Sequence, residues 1–126
     1  VGIGIDLIEI SRVRKALARS EERLTDILFT DAETEYCLKG ANERIQGQRF
    51  AGRFASKEAF LKALGTGLRE GIKWRDIEIL NDSSGRPYIT ARNKALEKLQ
   101  ELGINIVHIS ISHSIHYATA QVILEK

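Results

Sequence analysis

The sequence predicts an α+β fold, with a mainly antiparallel sheet arranged around one long central helix. Short runs of alternating β-branched residues stand at the start, the middle and the end of the chain, and helical patterns fill the blocks between them. After Gly65-Thr66-Gly67 the period changes from 3.6 to 2, and the later strand-like runs come in pairs joined by short turns, as hairpins do. At 126 residues the chain is sized for one domain, residues 1–126, with no repeat, linker or low-complexity tract to divide it.

Val1 to Ile10 alternates glycine with β-branched residues, so Gly2, Gly4 and Asp6 share one face of a strand and Val1, Ile3, Ile5 and Leu7 the other. The two glycines clear space beside Asp6. An aspartate in so apolar a strand either meets solvent at the strand's end or is paired or bound to a cation, because burying it alone is costly. Ser11 suits the N-cap of a helix whose buried side would carry Val13, Ala16, Leu17, Leu24, Ile27 and Leu28. On an adjacent side Arg12, Lys15, Arg19 and Arg23 fall within about 80° of one another. Such a basic stripe is a solvated face or a docking surface. Thr30-Asp-Ala-Glu33 is a capping box opening a short helix that stops near Gly40, with Cys37 as a packing residue within it.

Asn42 can cap the central helix, which runs to about Leu64. Phe50, Phe54, Leu61 and Leu64 fall in one apolar stripe, and Ala51, Ala55 and Ala59 line a face that another backbone could approach closely. Gly65 is placed as the C′ glycine. Trp74 to Leu80 and Pro87 to Thr90 read as a hairpin around Asn81 to Gly85. Ala91 to Leu102 reads as a helix with Ala95, Leu96, Leu99 and Leu102 inward and Gly103 as its stop. Ile104 to Ser112 and Tyr117 to Leu124 read as a second hairpin through His113-Ser-Ile-His116.

With 19 basic and 17 acidic residues the net charge is +2, too small to argue for bulk nucleic-acid binding. Cys37 is the only cysteine, and the sequence has neither a signal-peptide pattern nor an apolar run of about 18 residues. These features predict a soluble protein of the reducing cytoplasm, without membrane or nucleic-acid partners.

Glu58 and Lys62 project from the small-residue face of the central helix, one turn apart. On spacing alone they form an i,i+4 ion pair worth about 0.2–0.5 kcal/mol. With the amides of the glycine-rich turn Gly65-Thr66-Gly67 beside them, they also make a plausible phosphate and cation site. The run Phe54-Ala-Ser-Lys-Glu-Ala-Phe-Leu-Lys-Ala-Leu-Gly65, taken with Gly2-Ile-Gly-Ile-Asp-Leu7, resembles the holo-acyl-carrier-protein synthase group of 4′-phosphopantetheinyl transferases. Both motifs stand in that family's order and separation, and the resemblance covers nearly the whole chain.

The resemblance implies transfer of the 4′-phosphopantetheine arm of coenzyme A to a serine of an apo acyl carrier protein, with release of adenosine 3′,5′-bisphosphate, in support of fatty acid biosynthesis. It implies Asp6 and Glu58 as ligands of Mg2+, a cation that needs only one or two carboxylates, and no His/Cys cluster suggests zinc. Lys62 would stabilise charge on the leaving phosphate. Glu58 would take the serine proton directly or through a water. Lys57 is either partly buried in the apolar stripe or reaching to a ligand, and the matching family positions imply ligand contact. Gly85-Arg86-Pro87 matches the family's Gly-Lys/Arg-Pro segment, and Ser112-His113 its Ser/Thr-His pair. Both are implied coenzyme contacts, the first being also a plain hairpin turn, and Gly65, Thr66 and Gly67 are read from their free amides as a phosphate contact. Arg53 would touch a neighbouring subunit or the coenzyme 3′-phosphate. Arg12 matches the docking arginine, so the stripe of Arg12, Lys15, Arg19 and Arg23 would receive the acidic carrier protein. Short members of the family are homotrimers with sites between subunits, and the same is implied here. His108 and His116 are read as structural. The competing reading is a non-catalytic nucleotide- or RNA-binding α+β module. It leaves Asp6 and Glu58 unexplained, and RNA binding usually needs exposed stacking aromatics where this chain has four Phe, three Tyr and one Trp, several at core positions.

Overall fold

The structure is a computed structural model that describes residues 1–126, the side chain of Glu21 excepted. Its elements are β1 (Gly2–Glu9), α1 (Ile10–Leu28), α2 (Asp31–Leu38), α3 (Glu43–Leu64), β2 (Ile77–Asn81), β3 (Pro87–Ala91), α4 (Asn93–Glu101), β4 (Ile106–His113) and β5 (Tyr117–Glu125). β1, β5 and β4 form a three-stranded sheet in that order, β2 and β3 a two-stranded one, and every pairing is antiparallel. The predicted fold class holds, and both hairpins form.

The position of α3 follows from what β1 lacks. A Cβ on Gly4 would lie 2.0 Å from the Ala59 carbonyl oxygen, and one on Gly2 would lie 2.3 Å from that of Ala63. The glycine face of the strand and the alanine face of the helix therefore meet main chain to main chain. Asp6, two residues further along the same face, emerges beside the helix. α3 is the hub of two buried clusters. Its Ala55, Phe60, Leu61 and Leu64 pack with Ile77, Ile79, Val122 and Leu124, and its Phe50 and Ala51 pack with Ile10, Leu17, Phe29 and Cys37. Asn42 caps it by accepting from the Ile45 amide, and Gly65 ends it at φ 80°. The other face of the three-stranded sheet is bare. Ile3, Ile5 and Leu7 on β1 are 63%, 60% and 64% exposed.

Several local expectations are corrected. α1 begins at Ile10 after a Glu9 cap that makes no side-chain bond, so Ser11 lies inside the helix, since β1 runs straight into it. Ser20 leaves helical geometry (φ −160°, ψ 53°). The resulting kink shifts the helical phase, so Thr25 is buried while Ile27 is exposed. Trp74–Asp76 is a 3₁₀ turn and not strand, held by the Asp76 carboxylate accepting from the Lys73 amide. In α4 only Ala95 and Leu99 are buried, and Leu96 and Leu102 stay exposed, because this short helix covers the sheet with one narrow side. The Thr30–Glu33 capping box forms as read, and Cys37 is a buried packing residue whose thiol burial pushes up to about 12.

Candidate active site

Asp6, Glu58 and Lys62 come together at the seam of β1 and α3. The Lys62 ammonium donates to Asp6 Oδ1 at 3.0 Å and to the Ile5 carbonyl at 3.0 Å, so the lysine pairs across the seam with the strand. The i,i+4 pairing with Glu58 is not the one made. Asp6 is itself tied into the sheet, its carbonyl accepting from the Thr119 hydroxyl at 2.8 Å, and its side chain is 16% exposed. Glu58 is half-buried, and its carboxyl is raised by that burial first and by the charge of Asp6 second, with Lys62 opposing. Two carboxylates at one seam, Glu58 with its charge disfavoured by Asp6, form beside one ammonium a hard-oxygen donor set that a divalent cation would relieve. Among the described residues no group of three or more His, Cys, Asp or Glu could hold a metal, so a magnesium ion there would complete its shell with water and phosphate oxygens. The donor set fits that ion.

Glu58 stands between two clefts. One, of about 690 Å³, is lined by Asp6, Arg12, Lys15, Arg19, Phe54 and Tyr117 as well as Glu58. The other, of about 510 Å³, runs past Lys62 to Gly65, Gly67, Leu68 and Trp74. Phe54 and Trp74, their ring centroids 5.3 Å apart and their planes tilted by 37°, wall the two. A carboxylate reachable from a basic cleft on one side and from a glycine-lined one on the other can stand between an acidic reactant and a phosphorylated one.

The structure therefore gathers Asp6, Glu58, Lys62, Gly65 and Gly67 with Arg12, Lys15 and Arg19. Arg23 lies past the Ser20 kink and does not line the cleft. In the glycine turn the Gly65 amide is already bonded to the Leu61 and Lys62 carbonyls, and the Thr66 hydroxyl to the Gly67 carbonyl, so the turn offers fewer free donors than expected. Lys57 is corrected outright. It is fully buried, and all three of its protons go to protein acceptors, so it cannot reach a coenzyme. Burial pulls its ammonium below the ordinary lysine value, with the Glu33 charge opposing. Gly85, Arg86 and Pro87 follow Asp82, whose carboxylate accepts from the Arg86 amide at 3.0 Å; Arg86 and Pro87 line a different cleft, against β4. Ser112 and His113 face opposite sides of β4, Ser112 in register with Thr119 and His113 with Ala118. Within one chain neither pair enters the Asp6–Glu58 clefts. Arg53 is buried, stacked 4.2 Å over the Tyr36 ring and bonded to Asn81 at 3.0 Å. Sequence reasoning missed Phe54, Trp74 and Leu68 as cleft walls; the apolar residues flanking the Lys-Glu motif were the available signal.

Residues 2–120 match the family model of the 4′-phosphopantetheinyl transferase superfamily, and the chain belongs to that family. Within it, the full-length relatives are holo-acyl-carrier-protein synthases, which define the short group this chain falls into. The enzyme of Syntrophus aciditrophicus is 48% identical over 98% of this chain and 94% of its own length, and that of Geobacter sulfurreducens 43% identical over 99% and 97%. Among solved structures, the Helicobacter pylori synthase in complex with coenzyme A superposes with a TM-score of 0.84 at 31% identity, over 98% of this chain and 99% of that one. The Bacillus anthracis synthase in complex with coenzyme A (3′,5′-ADP) gives 0.79 at 39%, over 98% and 95%.

Proposed function

We propose that this chain is a single-domain, magnesium-dependent transferase that moves the 4′-phosphopantetheine arm of coenzyme A to a serine hydroxyl of an apo acyl carrier protein, in the cytoplasm and for lipid synthesis. The observation that carries it is the placement of Glu58, with Asp6 and Lys62, between a basic cleft and a glycine-lined one. The serine oxygen forms a bond to the phosphorus that bears the pantetheine arm, and the bond from that phosphorus to the adenosine-side phosphate oxygen breaks. The serine proton passes to Glu58, directly or through a water, and adenosine 3′,5′-bisphosphate leaves with the electron pair. A magnesium ion held by Asp6 and Glu58 would supply neutralisation of the diphosphate charge. Lys62, held beside Asp6 by the Ile5 carbonyl, offsets charge growing on the leaving phosphate. Arg12, Lys15 and Arg19 present a positive wall to an acidic protein.

The active unit is a homotrimer. Support comes from the exposed Ile3, Ile5 and Leu7 of the sheet's open face, and from Arg86, Pro87, Ser112 and His113, which serve a site only if a neighbour's chain brings them to it. Mass spectrometry of an apo carrier protein incubated with this chain, coenzyme A and Mg2+ tests the reaction: a gain of one phosphopantetheine is expected, and an unchanged mass under saturating conditions would refute it. Sedimentation at assay concentration tests the assembly, and a monomer there would sink the trimer.

A further inference from the structure

Lys57 precedes Glu58 in α3 and is enclosed by three other segments. Its ammonium donates to Glu33 Oε1 of α2 at 2.7 Å, to the Trp74 carbonyl at 2.9 Å and to the Ile77 carbonyl at the start of β2. Glu33 is engaged as completely. Oε1 also accepts from the Thr30 amide at 2.9 Å, Oε2 accepts from the Ile79 amide at 2.9 Å, and neither side chain of the pair has any exposed surface. As a source of stability this is a poor device, because desolvating two ions consumes most of what their attraction returns, and apolar residues of like volume often serve as well.

An ion pair of this kind supplies direction instead. Acceptors from three segments fix the ammonium at one point, and through it they constrain the rotation of α3 about its own axis. The contacts of Gly4 and Gly2 with Ala59 and Ala63 on the strand side limit how near the helix comes, and its rotation is shared between this buried pair, the apolar clusters and the Lys62 bonds to Ile5 and Asp6. Glu58 projects about 100° round the helix from Lys57. A rotation of only about 20° would carry a side-chain tip some 6 Å from the axis through roughly 2 Å, enough to separate Glu58 from Asp6.

We propose that the buried Lys57–Glu33 pair positions Glu58 against Asp6, Lys57 acting as a positioning residue that never touches substrate. The inference rests on the reading of Glu58 as a site carboxylate. Groups that orient a ligating residue typically change metal affinity or activity about 10–100-fold when removed. Lys57→Met with Glu33→Gln removes both charges and leaves no lone buried ion. With rates corrected for the folded fraction, that double variant should lose about 10–100-fold in kcat while the KM for coenzyme A stays within about twofold, and Mn2+ binding read by electron paramagnetic resonance should weaken by a similar factor. If kcat and Mn2+ affinity both stay within about twofold of wild type, or if the loss vanishes on correcting for folded fraction, the pair is merely structural. Should the double variant not fold, Glu33→Asp, which keeps both charges and shortens one arm by a methylene, carries the same comparison. A wild-type chain with no transfer activity would sink the function proposed above, and the Mn2+ comparison would still decide the positioning.

Discussion

Lys57 and Glu58 are neighbours in one helical turn, and burial disfavours the charge of both, but they differ in what partners that charge. Lys57 is enclosed, paired with Glu33 and bonded through every proton. Glu58 is half-open, faces Asp6, and has its carboxyl raised by burial and by that like charge. The fold gives the first charge a full set of partners and leaves the second to find them in something that binds. An unsettled charge in a cleft is the physical mark of a site, and a motif read as letters gives both residues equal standing.

If that division is right, breaking the open side should cost chemistry and leave the fold. Asp6→Ala and Glu58→Gln should each lower transfer by about 10²–10³-fold, a cation clamp being worth several kcal/mol, with the circular dichroism spectrum unchanged. Near-normal turnover at limiting magnesium would refute the metal site. Lys62→Ala should lower kcat by roughly 10²-fold with little change in the KM for coenzyme A. An unchanged kcat with a raised KM would make Lys62 a binding group. Next in size, Arg12→Glu, alone or with Arg19→Glu, should raise the KM for carrier protein about tenfold and flatten its salt dependence, whereas Arg23→Glu, beyond the kink, should change it by less than about twofold. Equal effects of all three would mean that the cleft does not define the docking wall.

The smallest effect is on stability, and it sharpens the comparison most directly. Because the Glu58 carboxyl is raised in the folded chain, the unfolded chain gives up that proton first as pH rises. Between the ordinary glutamate value and the raised one the folded state holds more protons, so stability falls as pH increases, and the loss is complete above that window. Without magnesium, Glu58→Gln should therefore melt higher than wild type at neutral pH and lose this slope in calorimetry carried upward from the ordinary glutamate value. A variant that melts lower, with the slope intact, would show that Glu58 is as fully partnered within the fold as Lys57.

What could be read from the sequence was local or carried by motif. The Thr30–Glu33 box, the Asn42 cap, the Gly65 stop and both hairpins depend on residues a few positions apart, and all form. The union of Asp6 with Glu58 and Lys62 was legible because two motifs shared one resemblance. The destiny of Lys57 was not. Its partner lies 24 residues upstream, where Glu33 reads only as a capping residue, and its other acceptors are backbone carbonyls that leave no trace in side-chain patterns. A lysine in the middle of an apolar stripe was the available clue, and it equally fits a ligand contact. The Ser20 kink and the exposure of Ile27, Leu96 and Leu102 depend on how far each helix overlaps its support, which periodicity does not encode.

The contact of Gly2 and Gly4 with Ala63 and Ala59 makes the separation of Asp6 from α3 a main-chain dimension. Side-chain volume elsewhere in the core does not enter it. Ordinary evolutionary drift among the apolar residues, an Ile to Val at position 79 or a Leu to Met at position 61, can then erode melting temperature without changing the distance between strand and helix. The tolerance of that spacing is concentrated at residues 2 and 4, where a single methyl group would push strand and helix apart, whereas the turn of the helix rests in part on Lys57 and Glu33.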